Sequence, residues 1–124
     1  METKLLGRWG EELAADYLKK KRYRIVGMNY ACRMGEIDII AENRRYLVFA
    51  EVKLRRSADF ARPMEYVTAA KRERLRLAAA LYLAEHPTEK PCRFDILEVL
   101  APQGRDTPAR EIHIDHIENA FEED

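Results

Sequence analysis

Four consecutive apolar residues, Leu47 to Ala50, run directly into Glu51-Val52-Lys53, and this charged end to an apolar segment restricts how the chain can fold. Tyr46–Lys53 is rich in β-branched and aromatic residues and reads as a strand. Alternation then places Leu47, Phe49, Glu51 and Lys53 on one face and Val48, Ala50 and Val52 on the other. The segment before it repeats the theme: Glu36–Ala41 reads as a strand with Glu36 and Asp38 on one side and Ile37 and Ile39 on the other. Glu42-Asn43-Arg44-Arg45 is the polar hairpin loop between the two. Asp38, Glu51 and Lys53 on adjacent strands would gather in one small cleft. Unpaired charges in a sheet core cost several kcal/mol, so such a group argues for a use.

The remaining segments frame this hairpin. Residues 4–21 have Leu6, Trp9, Leu13 and Tyr17 at the spacing of one helical face, and they end in the basic run Lys19-Lys20-Lys21-Arg22. Tyr23–Tyr30 is a further strand, expected as an antiparallel neighbour of the other two. Pro63 opens a long helix over about residues 64–85, whose apolar face is Leu75, Ala78, Ala79 and Tyr82, and His86-Pro87 stops it. Arg93–Leu100 is a fourth strand, Pro102–Pro108 a turn, and the alternation around Ile112 and Ile114 a fifth strand before an acidic tail expected to fray over about 118–124. The order α-β-β-β-α-β-β predicts an α/β fold, a mixed central sheet flanked by helices, because the long helix supplies the crossover that a parallel pair requires.

The 124 residues, 47% hydrophobic, suit one domain with a core that needs no disulfide or metal staple. Cys32 and Cys92 form neither a disulfide framework nor a ligand pair, which favours a reducing cytoplasm. Met1–Gly10 has no apolar signal core, and the longest apolar run, Leu77–Ala84, falls far short of a membrane span, so no membrane partner is expected. A formal net charge of zero conceals an asymmetry. Residues 1–90 hold 19 basic and 13 acidic side chains, and residues 91–124 hold 3 and 9. Basic clusters at Lys19–Arg24, at Lys53 with Arg55 and Arg56, and at Lys71 to Arg76 make a polyanion a plausible partner.

The chemistry that suits Asp38, Glu51 and Lys53 is metal-assisted phosphodiester hydrolysis. Asp38, Glu51 and the Val52 carbonyl offer the hard oxygen ligands that Mg²⁺ prefers and leave positions for water and phosphate. Lys53 would stabilise charge developing on the phosphoryl group and orient or deprotonate the attacking water. The plain alternative is a structural ion pair of Glu51 or Asp38 with Lys53 at the rim of the sheet.

Asp38 followed by Glu51-Val52-Lys53 on an apolar strand resembles the PD-(D/E)xK nuclease signature, with Ile37 in place of its proline. Gly7-Arg8-Trp9-Gly10-Glu11, Arg33–Ala41, Leu47–Lys53, Pro63 with Glu65, Val67 and Lys71, and Arg93-Phe94-Asp95 resemble the YraN family of small bacterial endonuclease-like proteins. The resemblance covers about residues 4–100. It implies a restriction-endonuclease-like fold akin to archaeal Holliday junction resolvases, an additional metal-binding acid on the first helix at Glu11, Mg²⁺ or Mn²⁺ as cofactor, and DNA, branched or otherwise non-standard, as substrate. It also implies a homodimer, since cutting both strands of a junction takes two sites. Leu54 stands where threonine is common and Ala61 where glycine often precedes the proline, departures that bear on substrate contacts.

Other residues carry weaker signals. Gly7 and Gly10 inside a helix suggest a close backbone approach. Lys71, on the early turns of the long helix, could contact a phosphate, and Arg55, Arg56 and Arg62 lie where a basic loop could follow a nucleic-acid backbone. Glu36 is either an outer acid of the site or a partner for Arg33. His113 and Asp115 fall on one strand face and His116 on the other, which disfavours a shared metal, and Trp9 and Tyr17 read as core. Two rivals to an endonuclease remain: a non-catalytic nucleic-acid-binding or adaptor module that retains the fold, and a protein-interaction domain in which the acidic C-terminal part complements a basic partner.

Overall fold

The computed structural model describes residues 3–56 and 68–121. Pro63, the expected start of the long helix, lies outside them, as do Ala61, Arg62, Glu65, Val67 and residues 122–124 of the acidic tail. Seven main elements follow in order: α1 (Thr3–Lys20), β1 (Arg24–Cys32), β2 (Gly35–Glu42), β3 (Leu47–Arg55), α2 (Ala69–Glu85), β4 (Cys92–Leu100) and β5 (His113–Ile117). Two single-turn 3-10 helices, Gly104–Asp106 and Ala109–Glu111, occupy the β4–β5 connection. The element order is the one expected, and the strands lie in the sheet in chain order, β1-β2-β3-β4-β5. Every neighbouring pair is antiparallel except β3 and β4, which run parallel with Leu47 opposite Cys92 and Arg55 opposite Leu100. The chain between them must cross the sheet, and α2 lies in that connection.

Each face of the sheet has its own apolar layer. On one, α2 presses Leu75, Ala78 and Ala79 onto Ile37, Ile40, Leu47, Phe49, Phe94 and Ile96. On the other, α1 brings Ala14, Ala15 and Leu18 against Ile39, Ala41, Val48, Ala50, Leu97 and Val99. Phe49 and Val48, adjacent in β3, thus enter opposite layers, as strict alternation requires. β2 departs from it: Ile37 packs in the α2 layer and Ile39 in the α1 layer, whereas the sequence places them on one side. The irregularity falls at Asp38. Its partner across the β1–β2 ladder would be Asn29, but the pairs run from Met28–Ile39 to Tyr30–Ile37 without it, and Asn29 adopts a left-handed φ of 54°.

A second group of charges, which the sequence reading did not identify, lies within the α1 side of the sheet. Asp95 is 1% exposed and accepts hydrogen bonds from both Nε and Nη2 of Arg93 at 2.8 Å, and from the Asn119 backbone N–H at 3.0 Å. His116 Nε2 lies 2.6 Å from the same carboxylate, and Arg93 Nη2 also donates to the Tyr23 hydroxyl at 2.6 Å. β4, β5 and the turn after β5 are therefore tied together through one carboxylate, and Arg93 extends the network to Tyr23, just before β1. Burial pushes the Asp95 carboxyl up, but the bonds from His116, Arg93 and Asn119 outweigh it and leave the group below its ordinary value of 3.8. The exposed pair on the outer face of β5, His113 with Asp115 at 3.0 Å, is separate from it, and the two histidines share no site.

Removing one partner from such a network leaves the others buried and unpaired. Asp95→Ala is expected to destabilise the fold by about 3–5 kcal/mol in a denaturant titration. The contribution of Asp95 is present above its ordinary pKa and fades as the pH falls through its lower folded value, so the difference between wild type and Asp95→Ala should narrow on acidification below pH 3.8.

Candidate active site

The pairing of β2 with β3 ends at Ile39 and Ala50. The next residues along, Asp38 and Glu51, face each other where the ladder stops. Instead of a backbone carbonyl, the Val52 N–H finds Asp38 Oδ2, at 2.8 Å. The N–H and C=O of a strand residue point to the same edge, so the Val52 carbonyl is directed toward the same opening. Glu51, 7% exposed, forms an ion pair with Lys71 on the first turn of α2, Oε1 to Nζ 3.0 Å. Thr68 positions that turn: it caps α2, its hydroxyl accepting the Lys71 N–H at 3.2 Å. A cleft of about 280 Å³ results, lined by Gly35, Glu36, Asp38, Glu51, Lys71, Arg74 and Leu75. At about 30 Å³ per water, it has room for a phosphate group and several waters.

The electrostatics of the cleft are strained in one direction. Burial, and next the charge of Glu51, push the Asp38 carboxyl up to about 8, against the lowering effect of the Val52 N–H. Glu11 is also held above the ordinary carboxylate range, by burial first, with a hydrogen bond to Asn29 opposing and the charges of Glu36 and Glu51 adding to it. Its Oε1 is buried with no hydrogen-bond partner. Lys53 is half-buried, and its ammonium is held below the ordinary lysine value by burial and then by the Lys71 charge, while Glu51 and Asp38 pull the other way. An acid that resists ionising lines the opening, and a second such acid, Glu11, and a lysine that resists protonation, Lys53, stand near it.

Most of the residues singled out in the sequence converge here. Asp38, Glu51, Glu36 and Lys71 line the cleft, and Lys53 and Glu11 are within electrostatic reach of it. Glu36 is exposed at the mouth. Neither helix glycine makes a close approach that only glycine allows: a Cβ at Gly10 would meet Leu54 Cβ at 3.5 Å, an ordinary contact, and one at Gly7 would have nothing within 4 Å. Arg55 is corrected. It is the last residue of β3 rather than part of a loop, and its Nη1 pairs with buried Glu98 at 2.8 Å. Arg56 is exposed, its guanidinium resting over Gly104. Arg74 was missed. It joins Lys71 on the cleft because residues three apart share a helix face, a signal present in the sequence. Gly35 lets α2 come this close: a Cβ there would lie 3.3 Å from Arg74 Cβ.

Among the described residues no three His, Cys, Asp or Glu side chains stand close enough together to form a ready metal cage. The groups present still fit a hydrated divalent cation. Mg²⁺ is commonly held by one or two carboxylates and keeps several waters. Asp38 and Glu51 face each other with the Val52 carbonyl directed at the same opening, a donor set of that kind, while Glu11, whose Oε1 has no hydrogen-bond partner, stands outside the cleft lining.

A mixed-sheet α/β domain with paired carboxylates and lysines where two strands part is the class that fold and site define. The description "Uncharacterised protein family UPF0102" matches residues 10–99, and the chain belongs to that family, the YraN-like group its motifs resemble. It is 45% identical over 117 residues to a UPF0102 protein of Chlorobium phaeobacteroides, covering 94% of this chain and 93% of that one. Identity to a UPF0102 protein of Pelotomaculum thermopropionicum is 44% over 119 residues, 95% and 96% of the two chains. With a UPF0102 protein of Geobacter sulfurreducens it is 43% over 123 residues, 97% and 91% of the two chains. Among the described residues no helix is long and apolar enough to cross a membrane.

A carboxyl raised to about 8 binds a proton in the folded state that the unfolded chain has already released, so Asp38 erodes stability as the pH rises from 3.8 toward 8. Asp38→Asn keeps an oxygen for the Val52 N–H without the charge. In metal-free buffer it is expected to be more stable than wild type by on the order of 1–3 kcal/mol at pH 8, with the gap closing toward pH 4. Equal melting temperatures across this range would show that the carboxylate is not strained.

Proposed function

We propose that this protein is a metal-dependent endonuclease that hydrolyses the phosphodiester backbone of DNA, with branched or otherwise non-standard DNA as the substrate suggested by the family resemblance. The observation that carries this reading is the facing pair Asp38 and Glu51 at the end of the β2–β3 ladder, with Lys53 and Lys71 beside it. Ion-pair chemistry alone would not place two carboxylates so that one raises the pKa of the other.

In this reading Asp38, Glu51, the Val52 carbonyl and Glu11 would hold Mg²⁺ or Mn²⁺. Once bound, the ion supplies Lewis-acid polarisation of a phosphate oxygen and lowers the pKa of a water. The residues of the chain do the remaining work. Lys53, desolvated and crowded by Lys71, has a depressed pKa that suits it to take a proton from the attacking water or to stabilise the added phosphoryl charge. Lys71 and Arg74 sit on the α2 side of the cleft, where they can hold the phosphates flanking the scissile one. Glu36 at the mouth adds negative charge that favours cation entry.

One observation favours the binding-module reading. Lys71 already neutralises Glu51 at 3.0 Å, so the cleft is partly compensated by the protein's own cation. The two readings separate on metal binding. If an ion uses Glu51, it competes with Lys71, and Lys71→Ala should bind Mn²⁺ more tightly than wild type in calorimetry; unchanged affinity, or none, favours the binding module.

The direct test is cleavage of labelled four-way junction, flap, duplex and single-stranded DNA, and of RNA, with Mg²⁺ or Mn²⁺. Asp38→Ala and Lys53→Ala are each expected to lower the rate by at least about 100-fold while leaving the fold intact. Cutting that persists unchanged in both variants would not come from this site. Absence of cutting by wild type on every substrate, beside salt-sensitive binding, would replace the endonuclease with the binding module.

A further inference from the structure

At the opposite end of β2 and β3 from Asp38 and Glu51, a second cleft of about 520 Å³ is lined by Lys21, Arg22, Asn43, Arg44 and Arg45. Segments 19–24 and 42–45, which meet here, carry seven Lys and Arg side chains and one carboxylate, Glu42. That carboxylate is already neutralised twice, by Arg24 and by Lys90 at 3.2 Å. No carboxylate among the described residues is paired with Arg22, Arg44 or Arg45, and all three are exposed.

Local structure does not require these side chains. Asn43 holds the β2–β3 turn: its N–H donates to the Tyr46 carbonyl at 3.0 Å, and its Oδ1 accepts the N–H groups of Arg45 and Tyr46 at 2.9 and 2.7 Å. The guanidinium groups of Arg44 and Arg45 take no part in it. Arg22 is more telling. The Tyr23 N–H returns to the Leu18 carbonyl and the Arg22 N–H to that of Lys19, both at 3.0 Å, which closes α1 with a Schellman turn. Arg22 occupies its left-handed position at φ 72°, where glycine is normally found because any Cβ is strained. A side chain kept there against the backbone's preference is charged and points into a basic cleft. The dipole of α1 accounts for Lys19 and Lys20 in its last turn, but not for Arg44 and Arg45 on a different element.

We infer that this cleft is a second contact surface for the phosphate backbone of duplex DNA, gripping an arm of the substrate away from the reacting phosphodiester. The inference rests on the nucleic-acid reading of the active site and adds to it a place for the substrate's flank. Strand rise puts the two clefts roughly 15–20 Å apart, counting from Glu51 back through Leu47 to the turn. At about 3.4 Å per base pair, that is about four to six base pairs. The guanidinium groups of Arg22, Arg44 and Arg45 offer planar forks suited to phosphate oxygens, and the contact is independent of base sequence.

The test is fluorescence anisotropy of a labelled DNA duplex two helical turns long, titrated at several salt concentrations. It compares wild type with the triple variant Arg22→Gly, Arg44→Ala, Arg45→Ala. Glycine at position 22 relieves the left-handed backbone, so the variant should melt no lower than wild type, and a change in binding cannot be put down to unfolding. Affinity should fall at least about tenfold, and the slope of log affinity against log salt should shrink by about 2–3, near one for each lost phosphate contact. Arg110→Ala, which removes one cation outside the cleft, should change both less per charge removed. Wild-type binding that the triple variant leaves unaltered in affinity and slope would overturn the inference while the endonuclease reading stands. Weakened binding in the triple variant, with no metal-dependent cleavage by wild type, would uphold this surface and overturn the hydrolytic reading. Failure of wild type to bind DNA, or binding confined to an RNA duplex, would overturn the choice of partner.

Discussion

β2 and β3 stop exchanging backbone hydrogen bonds after Ile39 and Ala50, and one side-chain bond, Val52 N–H to Asp38 Oδ2, takes over. Much else depends on that handover. A carbonyl in place of Asp38 would continue the ladder and close the sheet over the position the cleft now occupies. With the carboxylate there, the strands part without leaving the Val52 N–H unsatisfied, a loss that would cost about 1–3 kcal/mol if it were buried. Asp38 is brought opposite Glu51 by the same geometry, and Lys53 follows on the same face of β3. Asn29, left-handed and absent from the ladder on the β1 side, provides the slack that lets Ile37 and Ile39 enter different layers on either side of Asp38.

The two charged groups in the sheet illustrate the difference between a buried charge that holds a fold together and one that works. Around Asp95 every charge has a partner: two bonds from Arg93, one from a backbone N–H and one with His116, and together they lower its pKa despite burial. Around Asp38 burial and the charge of Glu51 outweigh a single backbone donor and the more distant Lys53, and its pKa rises to about 8. Both carboxylates are part of the same small sheet, so burial alone cannot explain the contrast. Partner chemistry does, and the group left electrostatically unsatisfied is the one that opens onto a cleft.

Periodicity made the elements and their order legible, and the mixed character of the sheet followed from a single rule, that parallel strands need a crossover. Glu51 and Lys53 were legible from strand alternation and Lys71 from its helix position, while Asp38 was picked out by its charge beside an apolar hairpin and not by its face. What failed to show was set by contacts between distant segments. Arg55 reads as a loop arginine until β4 supplies Glu98, 43 residues later, as its partner. The Asp95 network draws on Tyr23, Arg93, His116 and Asn119, which no local spacing relates. The face switch at Asp38 was hidden because a strand pattern carries no mark of the left-handed residue opposite it.

That long-range pairing also decides what the charge asymmetry of the chain means. Residues 91–124 are acidic and residues 1–90 basic, which on sequence alone suits docking to another chain. Yet Glu98 is spent on Arg55, and Asp95 on Arg93 and His116, all inside the sheet, while Glu118 reaches Arg93 at 3.5 Å. Within the described part of that segment Asp95 and Glu98 are therefore internal wiring, while Asp106, Glu111, Asp115 and Glu118 stay exposed. Arg22, Arg44 and Arg45 have no such use, and they gather at the hairpin end of the same two strands whose other end borders the active-site cleft. A chain of zero net charge can in this way concentrate positive charge locally, because Arg22, Arg44 and Arg45 share one cleft whose single nearby acid, Glu42, is already paired.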